Sequence, residues 1–383
     1  MFELKYLSEF TYNLDNRRKP LNAQDRALIQ NKMLYPYCGA NGVLEYVDEY
    51  LFDEKILCLA EDGGSWGYNQ KCTYIMNEPC WVNNHAHVLT AKENISLEYL
   101  SLYLNSVDLN KYITGTTRGK LTKTALEKIQ IPIPSYELQI QIVKLIGNIS
   151  SIIKKRQSQI AALDELTQSV FLDMFNTTND KVKIGDIAEV QTGSTPSRKN
   201  DSFWKNGSIP WVKTAEVKMN YIESSEECIT QEALEKTSVS ILPINTVLIA
   251  MYGQGVTRGR VGLLKTEATT NQACAAILPN EKFNSEFLFK QLVLNYKKLR
   301  HLGRGGNQPN LNLSLVKDFE ILLPPLSKQE EFNVISENIE LRKKQLKISL
   351  NYMESLYESL LQKAFKGELS QEWKLNESVS QRS

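Results

Sequence analysis

One stretch of this sequence occurs twice at a fixed offset, and that limits the possible folds more than any other feature. Ile131-Pro132-Ile133-Pro134-Ser135 opens a long helical pattern that ends near Phe175. At an offset of 190 positions, Ile321-Leu322-Leu323-Pro324-Pro325 opens a second one that ends near Phe365. Without a gap, Ile131 faces Ile321, Pro134 faces Pro324, Gln139 faces Gln329, Ile149 faces Ile339 and Phe175 faces Phe365. Solenoid units repeat every 20–50 residues or so, which makes this longer repeat a duplicated domain-plus-helix unit.

Each helical pattern carries a heptad seam. The first runs Ile146, Ile149, Ile153, Arg156, Ile160, Leu163, Thr167, Val170, Met174, and the second Ile339, Lys343, Leu346, Leu350, Met353, Tyr357, Leu360, Ala364. The steps alternate three and four, which is coiled-coil spacing. A helix of about forty residues is a rod of about 60 Å. A domain of ~140 residues is only ~30–40 Å across, so the two helices are expected to pair with each other. A pseudo-two-fold would set them antiparallel with one globular domain at each end. Polar seam residues fall at non-equivalent places, Arg156 matching Leu346 and Lys343 matching Ile153. That favours each helix pairing with the other over either pairing with its own copy.

The chain therefore reads as α+β. A first domain over residues 1–134 is followed by a spacer helix over 135–176, with Ser135 as N-cap after the proline stop. Asn176 to Asp180 is a polar break. A second domain spans 181–325, a second spacer helix 327–367, and a polar tail 368–383. Ser327-Lys328-Gln329-Glu330 reads as a capping box, and Gly367 as a helix stop. Ile56–Ala60, Lys71–Met76 and His85–Leu89 have the length and flanks of strands, and Ser96 caps a helix to Ser106. Val247–Met251, Ala273–Leu278 and a helix over Ser285–Leu299 are their counterparts in the second domain.

With 42% hydrophobic and 23% charged residues, the chain has an ordinary globular composition. Met1-Phe2-Glu3-Leu4-Lys5 has no signal-peptide pattern, and no apolar run approaches the ~18 residues of a membrane span. The expectation is a cytoplasmic protein with no membrane partner. Its cysteines, Cys38, Cys58, Cys72, Cys80, Cys228 and Cys274, form no C-x-x-C pair and are expected as free thiols. His85 and His87 near Cys80 lack a fourth ligand at a sensible spacing, so no metal site is expected.

The common catalytic motifs are missing. Gly115-Thr116-Thr117-Arg118-Gly119-Lys120-Leu121 has three residues between its glycines where a phosphate loop has four, and Leu121 stands where Ser or Thr would hold Mg²⁺. The Gly253–Gly259 run fails dinucleotide spacing, and there is no G-x-S-x-G or H-E-x-x-H. Leu323-Pro324-Pro325-Leu326 lacks the polar first and aromatic last residue of an amino-methyltransferase tetrapeptide. No catalytic residue and no cofactor is expected.

Nucleic acid is better supported. Leu109–Leu126 holds Lys111, Arg118, Lys120 and Lys123 with no Asp or Glu. Phe287–Lys317 holds Lys290, Lys297, Lys298, Arg300, Arg304 and Lys317, again with none. Cations without nearby carboxylates suit phosphate neutralisation. Either window alone reads as a solvated basic loop; two at equivalent repeat positions favour DNA. Tyr252, Gln254, Thr257, Arg258 and Arg260 form a Gly-rich loop after a strand, an inventory suited to base edges or to a basic hairpin tip. Its counterpart in the first domain, Asp62–Gln70, offers Ser65, Tyr68 and Asn69. Lys213, Asn271 and Gln272 complete the candidate DNA-binding set.

These features together resemble the specificity subunit of a type I restriction–modification system. The resemblance is carried by Ile184-Gly185-Asp186-Ile187-Ala188-Glu189-Val190-Gln191-Thr192-Gly193-Ser194-Thr195-Pro196, Ile209-Pro210-Trp211-Val212, Thr214-Ala215-Glu216, the Gly253–Arg260 loop and Thr270-Asn271-Gln272-Ala273. In the first domain Tyr37–Val43 and Tyr46–Leu51 carry it, and the two spacer helices extend it over about residues 1–370. The resemblance implies two target recognition domains. Each would read one half of a split, asymmetric site in double-stranded DNA, with the helix pair as spacer. It also implies partners: two modification (methyltransferase) subunits and restriction/translocase subunits, which hold the catalytic activities. Two other readings stay open beside it, a coiled-coil DNA-binding scaffold without sequence reading and a nucleic-acid enzyme with an unrecognised site.

Overall fold

The computed structural model describes residues 2–115, 118–176, 181–253, 255–302 and 310–369. It divides into two compact units, residues 1–158 with 347–383 and residues 159–346. The long helices Tyr136–Phe175 and Leu326–Lys366 are thus shared between the units.

Unit 1 is built on a four-stranded antiparallel sheet in the order Thr11–Asn13, Ala86–Ala91, Ile56–Ala60, Thr73–Met76. Ile56–Ala60 does not alternate apolar and polar because both its faces are covered. Leu57 and Leu59 join the core made with Tyr99, Leu100 and Leu104 of helix Leu97–Ser106. Ile56 and Cys58 face the opposite cluster, with Cys38, Val82 and Val88. A smaller sheet orders Gly42–Val47, Tyr35–Gly39 and Trp81–Val82.

Unit 2 repeats this logic. Its sheet runs Val190–Thr192, Cys274–Ile277, Val247–Ala250, Val261–Leu264, Asn220–Ile222, the last pair parallel. Val247 and Ile249 face one core cluster and Leu248 and Ala250 the other. Cys228–Ile229, Ile209–Val212 and Thr269–Thr270 form the small sheet. The helix expected over Ser285–Leu299 is two helices, Ser285–Leu294 and Tyr296–His301. Asn295 breaks it, its side chain donating to the Gln291 carbonyl at 2.8 Å in competition with the backbone.

The entry to each long helix is the same joint made twice. Gln139 is fully buried; its Oε1 accepts from Ser96 N at 2.9 Å and its Nε2 donates to the Pro134 and Asn94 carbonyls. Gln329, its counterpart, accepts from Asn284 N at 2.8 Å and donates to the Pro324 carbonyl at 2.7 Å. Ser135 caps the first helix, its Oγ accepting from Leu138 N at 3.4 Å. The capping box expected at Ser327 is not what starts the second. That helix begins at Leu326, and the Pro325 carbonyl accepts from both Lys328 and Gln329. Pro325 stands where the first repeat has Ser135, so a backbone carbonyl opens the helix without a side-chain cap. Gly367, at φ +83°, ends it.

The heptad seams are the shielded stripes of both helices: every seam position is buried or half-buried. Within unit 1, Ile142 and Ile146 near the start of the first helix share a core with Leu361 and Ala364 near the end of the second. Within unit 2, Phe171 and Phe175 near the end of the first pack with Phe287 and with Phe332 near the start of the second, at ring separations of 5.1–6.0 Å. Both pairings are antiparallel. Aromatic pairs in edge-to-face or offset geometry add about 0.5–1.5 kcal/mol each beyond burial. The polar interruption Lys343 is paired with Asp164. No helix among the described residues is long and apolar enough to cross a membrane.

Candidate nucleic-acid interface

In both units the candidate loop is the connection between two antiparallel strands of the main sheet. In unit 2 the ladder closes with Ala250 N to Arg260 O at 2.9 Å and Gly259 N to Ala250 O at 2.8 Å, so the chain between them projects from the sheet. Gly255 at φ +58° and Gly259 at φ +82° take left-handed backbone that side chains with a Cβ disfavour. Tyr252 and Val256 are exposed, while Thr257, Arg258 and Arg260 are half-buried. Arg258 Nε is enclosed with no hydrogen-bond partner. Neither Arg258 nor Arg260 has a carboxylate partner among the described residues. Gln254 and Arg304 lie outside the described residues.

The turn Asn271–Ala273 lies against the base of this loop through Met251 N to Ala273 O at 2.8 Å. Asn271 Oδ1 accepts from Ala273 N at 3.1 Å, so the Asn shapes the turn. Gln272 is exposed and its Oε1 accepts from Thr195 Oγ1 at 2.5 Å. Lys213, a candidate DNA-facing cation, is half-buried. Its ammonium bridges Glu227 at 2.9 Å and Glu226 at 3.0 Å, and these two carboxylates hold it above the usual lysine range. Glu227 is also paired with Arg198, whose guanidinium stacks 3.7 Å from the Trp204 ring centroid.

The loop of unit 1 sits between Ile56–Ala60 and Thr73–Met76. Ser65, Tyr68 and Asn69 are exposed, and Asn69 holds φ +55°. Trp66 is the loop's anchor, buried, with Nε1 donating to the Ala60 carbonyl at 3.2 Å. Tyr68 Oη accepts from Gln362 of the second long helix at 3.3 Å. The carboxylate-free window of this unit is so only along the chain. Arg118 donates to Asp62 at 2.9 Å, and Lys120 pairs with Glu61 at 3.0 Å. The Leu109–Leu126 segment folds back onto a strand end that carries both acids. In unit 2, Lys290 likewise leaves the expected phosphate-facing set: it is buried, 3.3 Å from the Asn333 carbonyl.

Both ring nitrogens of His87 meet oxygen atoms. Its Nδ1 meets Asp15 at 2.6 Å and its Nε2 the Leu121 carbonyl at 2.7 Å. Asp15, Glu61 and His87 bring potential ligand atoms within 4.8 Å of one another, the geometry of a cation site. Arg18 fills that role, 2.6 Å from Glu61 and 3.4 Å from Asp15. Burial, the largest single effect, would raise both acids, but the bonds and charges of their partners together hold both below the usual carboxylate range: His87, Val88 and Asn13 at Asp15, and Arg18, Lys120 and His87 at Glu61. All six cysteines are free, and burial pushes the Cys58, Cys72 and Cys274 thiols up to about 12.

The two loops are fastened alike. Leu121 N donates to Glu61 O at 2.7 Å, and at the repeat offset Leu311 N donates to Met251 O at 3.1 Å. Sequence reasoning found both loops but missed Tyr296, whose phenol reaches the unit 2 loop. A tyrosine just past a helix break is a faint signal for that.

A duplicated domain with a projecting hairpin loop and a long helix defines a class. Residues 2–162 and 176–352 match the type I restriction modification DNA specificity domain, and the chain belongs to that family. Membership gives it a role in DNA sequence specificity. A Haemophilus influenzae protein described as a type I restriction enzyme specificity subunit is 25% identical over 358 residues, covering 88% of this chain and 87% of its own. The specificity subunit of the Escherichia coli type I enzyme EcoR124I/EcoR124II is 23% identical over 245 residues, 61% of each chain. The crystal structure of a type I restriction–modification S subunit from M. genitalium shares the fold, with TM-score 0.59 at 13% identity over 95% of this chain and 96% of that one.

Proposed function

We propose that this chain is the DNA-reading specificity subunit of a type I restriction–modification complex. Domains 1–134 and 181–325 each read one half of a split, asymmetric duplex site, and the helix pair sets the gap between the halves. Two modification subunits dock on the chain and methylate adenine at the site it selects, and restriction/translocase subunits act from the same complex. Catalysis belongs to those partners.

The observation that carries the reading is the pair of equivalent hairpin loops with unlike contents. Both are held by the same backbone bond at the repeat offset, Leu121 to Glu61 and Leu311 to Met251. One presents Ser65, Tyr68 and Asn69, the other Tyr252, Thr257, Arg258 and Arg260. Arg pairs with guanine edges and Asn with adenine, so unlike loops imply unlike half-sites. Phosphate contacts would come from exposed cations such as Lys297 and Lys298.

The test is a genome-wide map of adenine methylation made with the cognate modification subunit present. Two different short motifs separated by a fixed gap are expected. A single continuous palindrome would sink the two-reader reading. Equal affinity for specific and random duplexes at one stated salt concentration would favour a scaffold instead.

A further inference from the structure

We propose that Tyr296 and Arg300 are specificity-determining positioning residues, clamping the Tyr252–Arg260 loop in the backbone shape with which it reads its half-site. The inference rests on the reading of that loop as a base-reading element.

A loop with glycines at 253, 255 and 259 has wide conformational freedom, and reading base edges demands one geometry. The strands fix only the base of the loop, where the ladder closes between Ala250 and Arg260. The helix Tyr296–His301 supplies that geometry. Tyr296 Oη donates to the Val256 carbonyl at 2.5 Å, and Arg300 Nη2 donates to the Gly255 carbonyl at 2.5 Å. Arg300 Nη1 donates to Tyr296 Oη at 3.1 Å, so one guanidinium fork ties both contacts together. The heel of the loop is held as well: a Cβ on Gly259 would stand 3.2 Å from the Arg300 backbone nitrogen.

The break at Asn295 puts this pair where it acts. Tyr296 and Arg300 are four residues apart and share one face of the new helix, which Leu299, fully buried, anchors to the core. Lys297 and Lys298 on the same helix are exposed and free to meet phosphate, whereas the Arg300 guanidinium is engaged with the loop. Among the described residues, unit 1 holds its loop by other means, through Asp62 with Arg118 and Gln70 with Gly67.

Tyr296→Phe separates positioning from charge, since it removes one hydroxyl and no cation. The full complex with its modification subunits would be assembled with Tyr296→Phe, Arg300→Met, Arg300→Lys and Arg258→Ala/Arg260→Ala, and each used to select duplexes from a randomised library across a salt series. For Tyr296→Phe and Arg300→Met we expect discrimination at one half-site to fall by about tenfold per read base pair, with the other half-site unchanged. The salt slope for Tyr296→Phe should match the parent, and Arg300→Lys should fail to restore the motif. A motif altered by Arg258→Ala/Arg260→Ala but kept intact in Tyr296→Phe and Arg300→Met overturns the clamp while the loop remains a reader. A motif untouched by Arg258→Ala/Arg260→Ala overturns the loop reading itself. If Arg300→Met flattens the salt slope by about one and Tyr296→Phe is silent, Arg300 is a phosphate contact and the clamp is wrong.

Discussion

Arg118 and Asp62 form an ion pair at 2.9 Å, with the Arg 64% exposed and the Asp 18%. Asp62 also meets His85 at 2.7 Å, and its neighbour Glu61 holds Lys120. At the repeat offset, Glu61 and Asp62 become Met251 and Tyr252. Unit 1 therefore pairs Arg118 and Lys120 with its own acids, whereas among the described residues Arg258 and Arg260 of unit 2 have no carboxylate partner.

This asymmetry predicts the salt dependence of DNA binding. Asp62→Asn should release Arg118 for phosphate and steepen the slope of log K against log salt by about 0.9, the value for one added contact. Affinity for non-specific duplex should rise at the same time. Filter binding or anisotropy across a salt series measures both, and an unchanged slope would show that Arg118 faces away from the DNA.

Asp15 is the keystone of the buried charge cluster of unit 1. It accepts from Val88 N at 2.8 Å, from Asn13 at 3.0 Å and from His87. Asp15→Ala strands these donors and should cost about 2–4 kcal/mol. Its folded pKa lies below the ordinary 3.8: burial, the largest single effect, raises it, and the bonds from His87, Val88 and Asn13 with the His87 charge together outweigh burial. The Asp15 contribution is therefore complete above pH 3.8 and is lost as pH falls through the folded pKa. Denaturant midpoints measured from pH 7 down to pH 3 should converge for the two chains only at the acid end.

Gln139 and Gln329 join the globular domains to the long helices. Gln139→Leu leaves Ser96 N–H buried without its acceptor, which costs about 1–3 kcal/mol. If the joint also fixes the gap between half-sites, methylation mapping of Gln139→Leu and Gln329→Leu complexes should show secondary motifs with a gap one base pair shorter or longer. Both half-site sequences should stay as they are. A single gap at reduced thermal stability would confine the glutamines to folding.

Lys290 is buried against the second long helix, and burial, opposed by Glu286, lowers its pKa from 10.5. The charged ammonium therefore opposes folding at neutral pH, and the penalty fades as pH rises through the folded pKa towards 10.5. Lys290→Met should raise stability by about 1 kcal/mol at pH 7 and remove the alkaline rise. Glu286 keeps Lys265 at 2.9 Å and Tyr221 as partners, so no new orphan is made. Calorimetry at pH 7 and pH 10 measures the effect; a lower midpoint at pH 7 would show that the Asn333 contact matters more than desolvation.

The sequence by itself determined the duplication, the two long helices with their seams, the strands under both loops and the loops themselves. All of these are written in local periodicity, and the repeat made each half a check on the other. Ile56–Ala60 and Val247–Ala250 read as buried strands because apolar cover on both faces erases the alternation. Tertiary structure alone decided which cations are available. Arg118 and Asp62 lie 56 positions apart and Arg300 and Gly255 lie 45 apart. A window without acids along the chain can still fold against acids from elsewhere, because an ion pair depends on distance in space and not on sequence separation. For the same reason the phenol and guanidinium that hold the unit 2 loop could not be read from the loop's own residues.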